Sequence, residues 1–112
     1  MFKLYAFWSA PANPGDTEEF DRLYRDRHAA IASKVPGMRR FITSRTDVGL
    51  EGTDPAFYRV AEMIFDSREE LERAEHSDEW QALRQDSGQM IERFGVTMTV
   101  AMGEETEQPV AA

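Results

Sequence analysis

The amino-acid sequence predicts an α+β fold of the ferredoxin-like type, in which a βαββαβ chain forms a four-stranded antiparallel sheet. The first observation is the order of its segments: a strand-like run, a helical region, two strand-like runs, a second helical region and a last strand-like run. This order is the split βαβ pattern. The second observation is that the first and third strands are apolar on both alternating sets of residues, as central strands are expected to be.

The first strand is predicted over residues 2–9 and is followed by a turn that contains proline and glycine. Asp16, with Glu19 three residues later, has the spacing of a capping box, so the first helix is expected to begin there. Pro36 and Gly37 form a stop signal at its other end. Proline disfavours a helical residue before it, and glycine accepts the left-handed backbone that often ends a helix.

The second and third strands are joined directly, without a helix between them. Residues 38–47 are expected to form an edge strand because arginines are scattered among the apolar residues. Residues 57–65 form the third strand, whose two apolar faces are interrupted by Arg59 and Glu62. Residues 48–55, which include two glycines and a proline, are predicted to be a loop.

The second helical region carries two start signals. Ser67 with Glu70 forms a capping box, and Ser77 precedes a longer amphipathic run. Gly88 lies inside that run and costs about 1 kcal/mol relative to alanine, which leaves open a break in the helix. Residues 96–102 alternate apolar and small side chains and are predicted to form the last strand.

The topology predicts a homodimer that forms through the sheet. Both crossovers are expected to be right-handed, which places both helical regions on one face of the sheet. The other apolar face then needs a cover from outside the chain, and a second copy packing sheet against sheet supplies it. A monomer with that face exposed is the alternative, and it would present an aggregation-prone surface.

Length and composition limit the class of protein. With 112 residues, the chain is predicted to be one domain over residues 1–103, followed by a flexible tail at 104–112. The absence of cysteine excludes disulfides and fits a reducing cytoplasm. The net charge of −8 argues against binding to nucleic acid or to anionic membranes. The N-terminus lacks a signal-peptide pattern, so we expect a cytoplasmic protein.

The first helix carries the main candidate for chemistry, His28. At helical periodicity it falls at the border of the apolar face, where an imidazole with a pKa near ~6.5 can act as acid or base. Tyr24 lies one turn earlier on the same face and could donate a hydrogen bond to a substrate oxygen. Arg27 falls inside the stripe and must extend to solvent, find a carboxylate or line a polar pocket. The alternative for His28 is a structural imidazole that bonds a backbone carbonyl.

Other candidates are less specific. Tyr5, Phe7, Trp8 and Trp80 are typical core residues, and one or two of them are also expected to line a substrate pocket. Tyr5, Phe7 and Trp80 are the substrate-binding candidates among them, together with Arg27. Glu62 is either a buried acid or the partner of an arginine on the neighbouring strand. His76 lies among polar residues and is expected to be solvated.

The sequence contains no recognisable cofactor or metal motif. Two histidines far apart and no cysteine predict no metal site. No glycine-rich phosphate loop and no Gly-x-Ser-x-Gly turn are found, so no cofactor is expected.

Four segments together resemble the EthD family of small dimeric α+β barrel proteins. They are residues 24–40, which begin YRDRHA and continue to VPGMRR, residues 58–67 (YRVAEMIFDS), residues 77–86, and the closing strand. Where family members have His-Ala-Pro-Leu, this chain has His28-Ala29-Ala30-Ile31. The resemblance implies a dimeric barrel with a small-molecule pocket between the helices and the sheet. It also implies that Asp86 orients the imidazole, which completes a candidate catalytic set of His28, Tyr24 and Asp86.

The family is associated with ether degradation, aromatic catabolism, polyketide tailoring and oxidoreductase systems. The resemblance therefore implies a cofactor-independent enzyme that uses the pocket histidine for acid–base chemistry on a small aromatic, polyketide-like or carbonyl compound. Two alternatives remain open from the sequence. One is a non-catalytic metabolite-binding or accessory subunit of an oxygenase system, and the other is a cofactor-free monooxygenase on the same barrel.

Overall fold

Four antiparallel strands form one sheet in the computed structural model, which describes residues 1–111. The strands are β1 (Phe2–Trp8), β2 (Met38–Arg45), β3 (Arg59–Phe65) and β4 (Met98–Glu104), and their order across the sheet is β2-β3-β1-β4. The predicted four-stranded antiparallel α+β fold is confirmed, with the first and third strands at its centre.

Alternation along β1 decides which side chains face the helices. Phe2, Leu4, Ala6 and Trp8 are buried, and the three residues between them are half-buried on the opposite face. The antiparallel pairing places Ala61 beside Ala6 and Met63 beside Leu4, so β3 presents its own buried residues to the same side. The core lies between this face and the helices.

The helical region after β1 has three parts that follow a 3₁₀ turn. They are α1 (Thr17–Leu23), a π-helical turn (Tyr24–His28) and α2 (Ala29–Ala32). The predicted capping box at Asp16 is wrong, because Asp16 itself has helical dihedral angles and its side chain makes no capping bond. The side-chain cap lies one element earlier, where Asn13 begins the 3₁₀ turn Pro14–Asp16 and accepts the N–H of Gly15 at 2.9 Å.

The second helical region contains α3 (Arg68–Ala74) and α4 (Asp78–Phe94). Both predicted serine caps are confirmed: Ser67 Oγ accepts the Glu70 N–H and Ser77 Oγ accepts the Trp80 N–H, each at 3.2 Å. Helix α4 continues through Gly88 without a break and ends at Gly95, whose φ of 63° is left-handed. The cost of Gly88 is therefore outweighed by packing of the apolar face of α4.

The last strand extends slightly beyond its predicted end. Glu104 pairs with Phe2 across β1 and β4, and the Glu105 N–H donates to the Met1 carbonyl at 2.9 Å. Residue 104 therefore belongs to the sheet rather than to the tail, while Ala112 lies outside the described residues. Within residues 1–111, no helix has the length and apolar character that a membrane-crossing segment requires.

Candidate active site

The π-helical turn places Tyr24 and His28 side by side in the core. The Ala29 N–H donates to the Tyr24 carbonyl, five residues earlier, so this turn holds one more residue than an α-helical turn. The extra residue brings His28 nearly a full turn from Tyr24. Both side chains are buried, with exposed fractions of 1% for Tyr24 and 5% for His28. Ideal helical spacing placed His28 only at the border of the apolar face.

Asp86 of α4 holds the imidazole. Its Oδ2 lies 2.8 Å from His28 Nδ1, and both residues are 5% exposed. A carboxylate can only accept, so the proton of this bond belongs to Nδ1 and the lone pair of the neutral ring lies on Nε2. No hydrogen bond to Nε2 is found among residues 1–111.

Arg27 binds the other oxygen of Asp86, so its place in the apolar stripe is explained by an ion pair. Its Nε lies 2.8 Å from Asp86 Oδ1, although the N–H does not point at the oxygen well enough to make a hydrogen bond. Its Nη2 lies 3.6 Å from Met90 Sδ. Arg27 does not line the cavity described below, so the structure does not bring it to the substrate position that the sequence predicted for it.

Burial keeps the imidazole neutral. Burial lowers the pKa of His28 below its ordinary value of 6.5, and the hydrogen bond that His28 donates to Asp86 raises the pKa by a smaller amount. The nearby guanidinium of Arg27 also lowers it. At neutral pH the side chain therefore presents an unprotonated Nε2.

Three rings meet at this point. The ring centroids of Trp8 and His28 are 5.1 Å apart in an edge arrangement, those of Tyr24 and His28 are 5.3 Å apart, and those of Trp8 and Tyr24 are 5.8 Å apart. Such contacts restrict the rotation of each ring. Trp8 is one of the core residues from which the sequence analysis expects the pocket lining, and its inward position follows from the alternation of β1.

The hydroxyl of Tyr24 is buried and has no hydrogen-bond partner among the described residues. Burial raises the pKa of Tyr24 to about 12, while the Arg59 guanidinium, whose Cζ lies 4.4 Å from the ring centroid, lowers it by a smaller amount. Tyr24 is therefore protonated at neutral pH. A buried donor without a partner is unfavourable in the free protein, and the Tyr24 side chain is part of the wall of the cavity described below.

A cluster of Asp21, Tyr58 and Arg59, which the sequence analysis did not identify, packs against the ring of Tyr24. Asp21 accepts the Tyr58 hydroxyl at 2.8 Å and the Arg59 Nη2 at 3.2 Å. Arg59 is thereby held over the Tyr24 ring. The sequence feature that could have identified this cluster is Arg59 itself. It occupies a position of β3 that pairs with the buried Trp8 and therefore faces the core.

A cavity lies between the sheet and the helices, with His28 in its wall. The space in which the centre of a water molecule fits is about 50 Å³, and the empty space is about 460 Å³ when the open mouth is included. The cavity wall includes the candidate catalytic residue Tyr24, together with Trp8 and Trp80 from the aromatic residues that the sequence analysis considered for the lining. The remaining lining is almost entirely apolar apart from Ser87 and Arg84, and consists of Leu4, Ala6, Ala32, Phe41, Ala61, Met63, Leu83, Met98 and Val100.

Tyr5 and Phe7 do not reach this cavity, and their predicted role in it is corrected. They lie on the opposite face of the sheet because they alternate with the inward residues of β1. There they stack with ring centroids 6.2 Å apart, and Phe7 lies 4.9 Å from Phe57.

The other titratable candidates lie away from the cavity. Glu62 pairs with Lys3 at 3.5 Å across the sheet, rather than with an arginine of β2. His76 is exposed. Among residues 1–111, no group of three or more His, Cys, Asp or Glu side chains is placed to hold a metal ion.

The chain is similar to known proteins over nearly its whole length. A family model described as the EthD domain matches residues 13–93. An uncharacterized 11.0 kDa protein of the thcB-thcC intergenic region of Rhodococcus erythropolis is 30% identical over 109 residues, which are 97% of this chain and 100% of that protein.

Solved structures of the same fold include an EthD family protein from Bacillus halodurans. It is 31% identical with a TM-score of 0.80, and the match covers 95% of this chain and 99% of that one. A mutant of SnoaB, a cofactor-independent oxygenase from Streptomyces nogalater, is 17% identical with a TM-score of 0.58, over 96% and 94% of the two chains; at that identity only the fold is shared. From the family model and the relatives of 30% identity or more, the chain belongs to the EthD family.

Proposed function

We propose that this protein is a cofactor-independent enzyme that removes a proton from a small, largely apolar carbonyl or phenolic compound. The observation that carries the proposal is the neutral His28, whose Nδ1 is bound to Asp86 at 2.8 Å and whose ring lines an apolar cavity. A base held in one tautomer beside a water-poor cavity is suited to proton transfer at neutral pH.

The proposed step uses two side chains that contact the substrate. His28 Nε2 takes the proton from the carbon next to a carbonyl, and the C–H electron pair becomes the C=C bond of an enolate. The carbonyl electron pair moves to oxygen, which accepts a hydrogen bond from the Tyr24 hydroxyl. Return of the proton to the same carbon gives only exchange with solvent. Its delivery to another carbon of a conjugated enolate, with a shift of the C=C bond, completes an isomerisation, while loss of a β-leaving group would complete an elimination.

Membership of the EthD family supports a small-molecule role and leaves the reaction to be identified. The second candidate is a cofactor-free monooxygenase, and the cofactor-independent oxygenase of the same fold favours it. Deprotonation by His28 would serve that reaction too, because an enolate or phenolate is a better electron donor to O₂ than its neutral form. A role in aromatic catabolism in the cytoplasm fits the apolar cavity and the absence of cysteine.

The same proposal includes a homodimer. The sheet face opposite the helices carries Tyr5, Phe7 and the neighbouring Phe57. A second copy packing on this face would remove the three rings from water, which is favourable by roughly 25 cal/mol for each Å² of apolar surface buried. The cavity lies on the other side of the sheet, so each subunit would keep its own.

The test is exchange of the benzylic protons of 2-tetralone for deuterium in D₂O, followed by proton NMR. The wild-type protein should accelerate exchange, and His28→Gln should lower the enzymatic rate by about 10²- to 10⁴-fold, the usual contribution of a general base. His76→Gln is the matched control because His76 is the other histidine and is exposed. Full exchange by His28→Gln would contradict the proposal.

The alternatives give different results in the same samples. An oxygenase would also consume O₂ with an electron-rich phenolic compound, measured with an oxygen electrode. A non-catalytic binding subunit would bind the compounds without exchange or oxygen consumption, and it would tolerate His28→Gln.

A further inference from the structure

We propose that Arg84 is an anion-binding residue at the mouth of the cavity, and that the natural substrate carries a carboxylate at the end opposite its reacting carbon. This inference rests on the proposed function, because it names the substrate class of the same cavity. It starts from Arg84 as the one cationic side chain, among residues 1–111, in a lining that is otherwise apolar or uncharged.

The position of Arg84 on α4 directs it toward the cavity. Trp80, Leu83, Arg84 and Ser87 all line the cavity, and their spacing of three and four residues puts them on one face of the helix. Arg84 is exposed while Leu83 and Ser87 are buried. Arg84 is therefore the solvent-exposed part of the cavity wall, whereas His28 is in its buried part.

Arg84 makes no ion pair with any residue from 1 to 111, in contrast to most other arginines of this acidic protein. Arg27 is bound to Asp86, Arg59 to Asp21, and Arg93 of the same helix to Glu19. Arg84 has no such option on α4, because the residues three and four positions away are Trp80, Gln81, Ser87 and Gly88. Its charge is therefore available to a ligand.

The overall charge makes a local cation necessary for an anionic substrate. At −8 the protein as a whole repels anions, and an apolar wall cannot neutralise a carboxylate. An arginine presents a planar fork that matches a carboxylate in a two-bond arrangement. Tyr24 and Arg84 both line the cavity, and Tyr24 is buried whereas Arg84 is exposed. The cavity therefore has polar residues for two ends of one elongated molecule.

The carboxylate preference is measured with two probes of nearly equal shape, 3-phenylpropanoate and its neutral amide, 3-phenylpropanamide. Binding is followed by tryptophan fluorescence, since both tryptophans of the chain line the cavity. The wild-type protein should bind the carboxylate about 3- to 10-fold more tightly than the amide, as expected for a charge-assisted contact at a partly exposed site.

Arg84→Gln should abolish this preference, mainly by weakening binding of the carboxylate. Arg93→Gln removes the same charge from the same helix outside the cavity and should keep the preference. Equal binding of the two probes by the wild-type protein, loss of the preference in both variants, or no binding of either probe at millimolar concentration would each overturn the assignment of Arg84.

Deuterium exchange of 2-tetralone separates this inference from the proposed function, because that ketone carries no carboxylate. Exchange that depends on His28, together with equal binding of the two probes, would overturn the anion site alone. A carboxylate preference that depends on Arg84, in a protein that does not accelerate exchange, would overturn the enzymatic proposal and keep the anion site.

Discussion

Asp86 Oδ2 lies 2.8 Å from His28 Nδ1, although the two residues are 58 positions apart in sequence. The bond joins α4 to the π-helical turn, and it leaves Nε2 as the basic atom of the ring. Asp86 does not line the cavity, so it acts on a substrate only through His28. We therefore regard it as a positioning residue.

Replacing Asp86 with asparagine should disturb the tautomer of His28 and lower the exchange rate by at least about tenfold, since an amide can donate to Nδ1 and move the proton to Nε2. The ¹⁵N chemical shifts of the ring report which nitrogen is protonated, a readout that a merely structural role would leave unchanged. Asp78→Asn, at an exposed position of the same helix, is the control. Unchanged ring shifts in Asp86→Asn would contradict the positioning role.

The free energy of unfolding should decrease as the pH falls below about 6.5, because of His28. Its pKa in the folded protein is lower than the ordinary value of 6.5. Above pH 6.5 neither state binds a proton at this site; below it the unfolded chain binds one more readily, so the free energy of unfolding decreases as pH falls toward the folded pKa.

Urea denaturation at a series of pH values between neutral and acid measures this effect. His28→Gln should flatten the pH dependence in that range, whereas the exposed His76→Gln should leave it as in the wild type. The exchange rate of the wild-type protein should fall over the same range as Nε2 becomes protonated. A steeper acid loss in His28→Gln than in the wild type would count against this account.

Tyr24→Phe should raise stability and lower activity. The substitution removes a buried hydroxyl that has no partner within the described part of the chain, and relief of an unsatisfied polar group is worth about 1 kcal/mol or more. It also removes the donor to the enolate oxygen, so exchange of 2-tetralone should slow by about 10²-fold.

Tyr58→Phe is the matched comparison for this substitution. Its hydroxyl donates to Asp21 at 2.8 Å, and its loss should destabilise the protein by about 1 kcal/mol. Thermal unfolding of the two variants should therefore move in opposite directions. A Tyr24→Phe protein less stable than the wild type would show that the hydroxyl is satisfied in solution.

Gly88→Ala should stabilise the protein by about 0.5–1 kcal/mol, because alanine has the higher helix propensity and restricts the unfolded chain. A Cβ at this position of α4 meets no atom within 4 Å. In a domain of this size the midpoint of thermal unfolding should rise by about 2–6 °C.

Gly95→Ala should have the opposite effect. Gly95 has a φ of 63°, and a Cβ there would lie 2.9 Å from the Cβ of Ala12. Stabilisation by both substitutions would contradict the argument from backbone conformation, and so would destabilisation by Gly88→Ala.

Phe7→Glu should dissociate the proposed homodimer, since it places a charge among the rings of the sheet face. Sedimentation should give twice the 12.8 kDa mass of one chain for the wild type and a single chain for the variant. Gln85→Glu adds the same charge at an exposed position of α4 and should leave the dimer intact. A monomeric wild-type protein at micromolar concentration would refute the proposed assembly.

Local patterns in the sequence were sufficient to predict the four strands, their order along the chain and the two serine caps. Alternation marked the inward face of β1, yet both of its faces are apolar, so the pattern alone assigned Tyr5 and Phe7 to the pocket when they face the other way. The Asp16 capping box failed for a related reason: its spacing was present, but the helical dihedral angles of Asp16 turned its side chain away from the backbone N–H groups.

The sequence by itself determined the fold class and drew attention to the first helix, because hydrophobic periodicity and caps are local properties of the chain. Tertiary structure decided the site. The contacts of Asp86 with His28 and Arg27, the position of Arg59 over Tyr24, and the free Arg84 at the cavity mouth all depend on packing between distant segments. The π-helical turn depends on this packing as well, since it buries Tyr24 and His28 together against the sheet, and no periodicity of a regular helix encodes it.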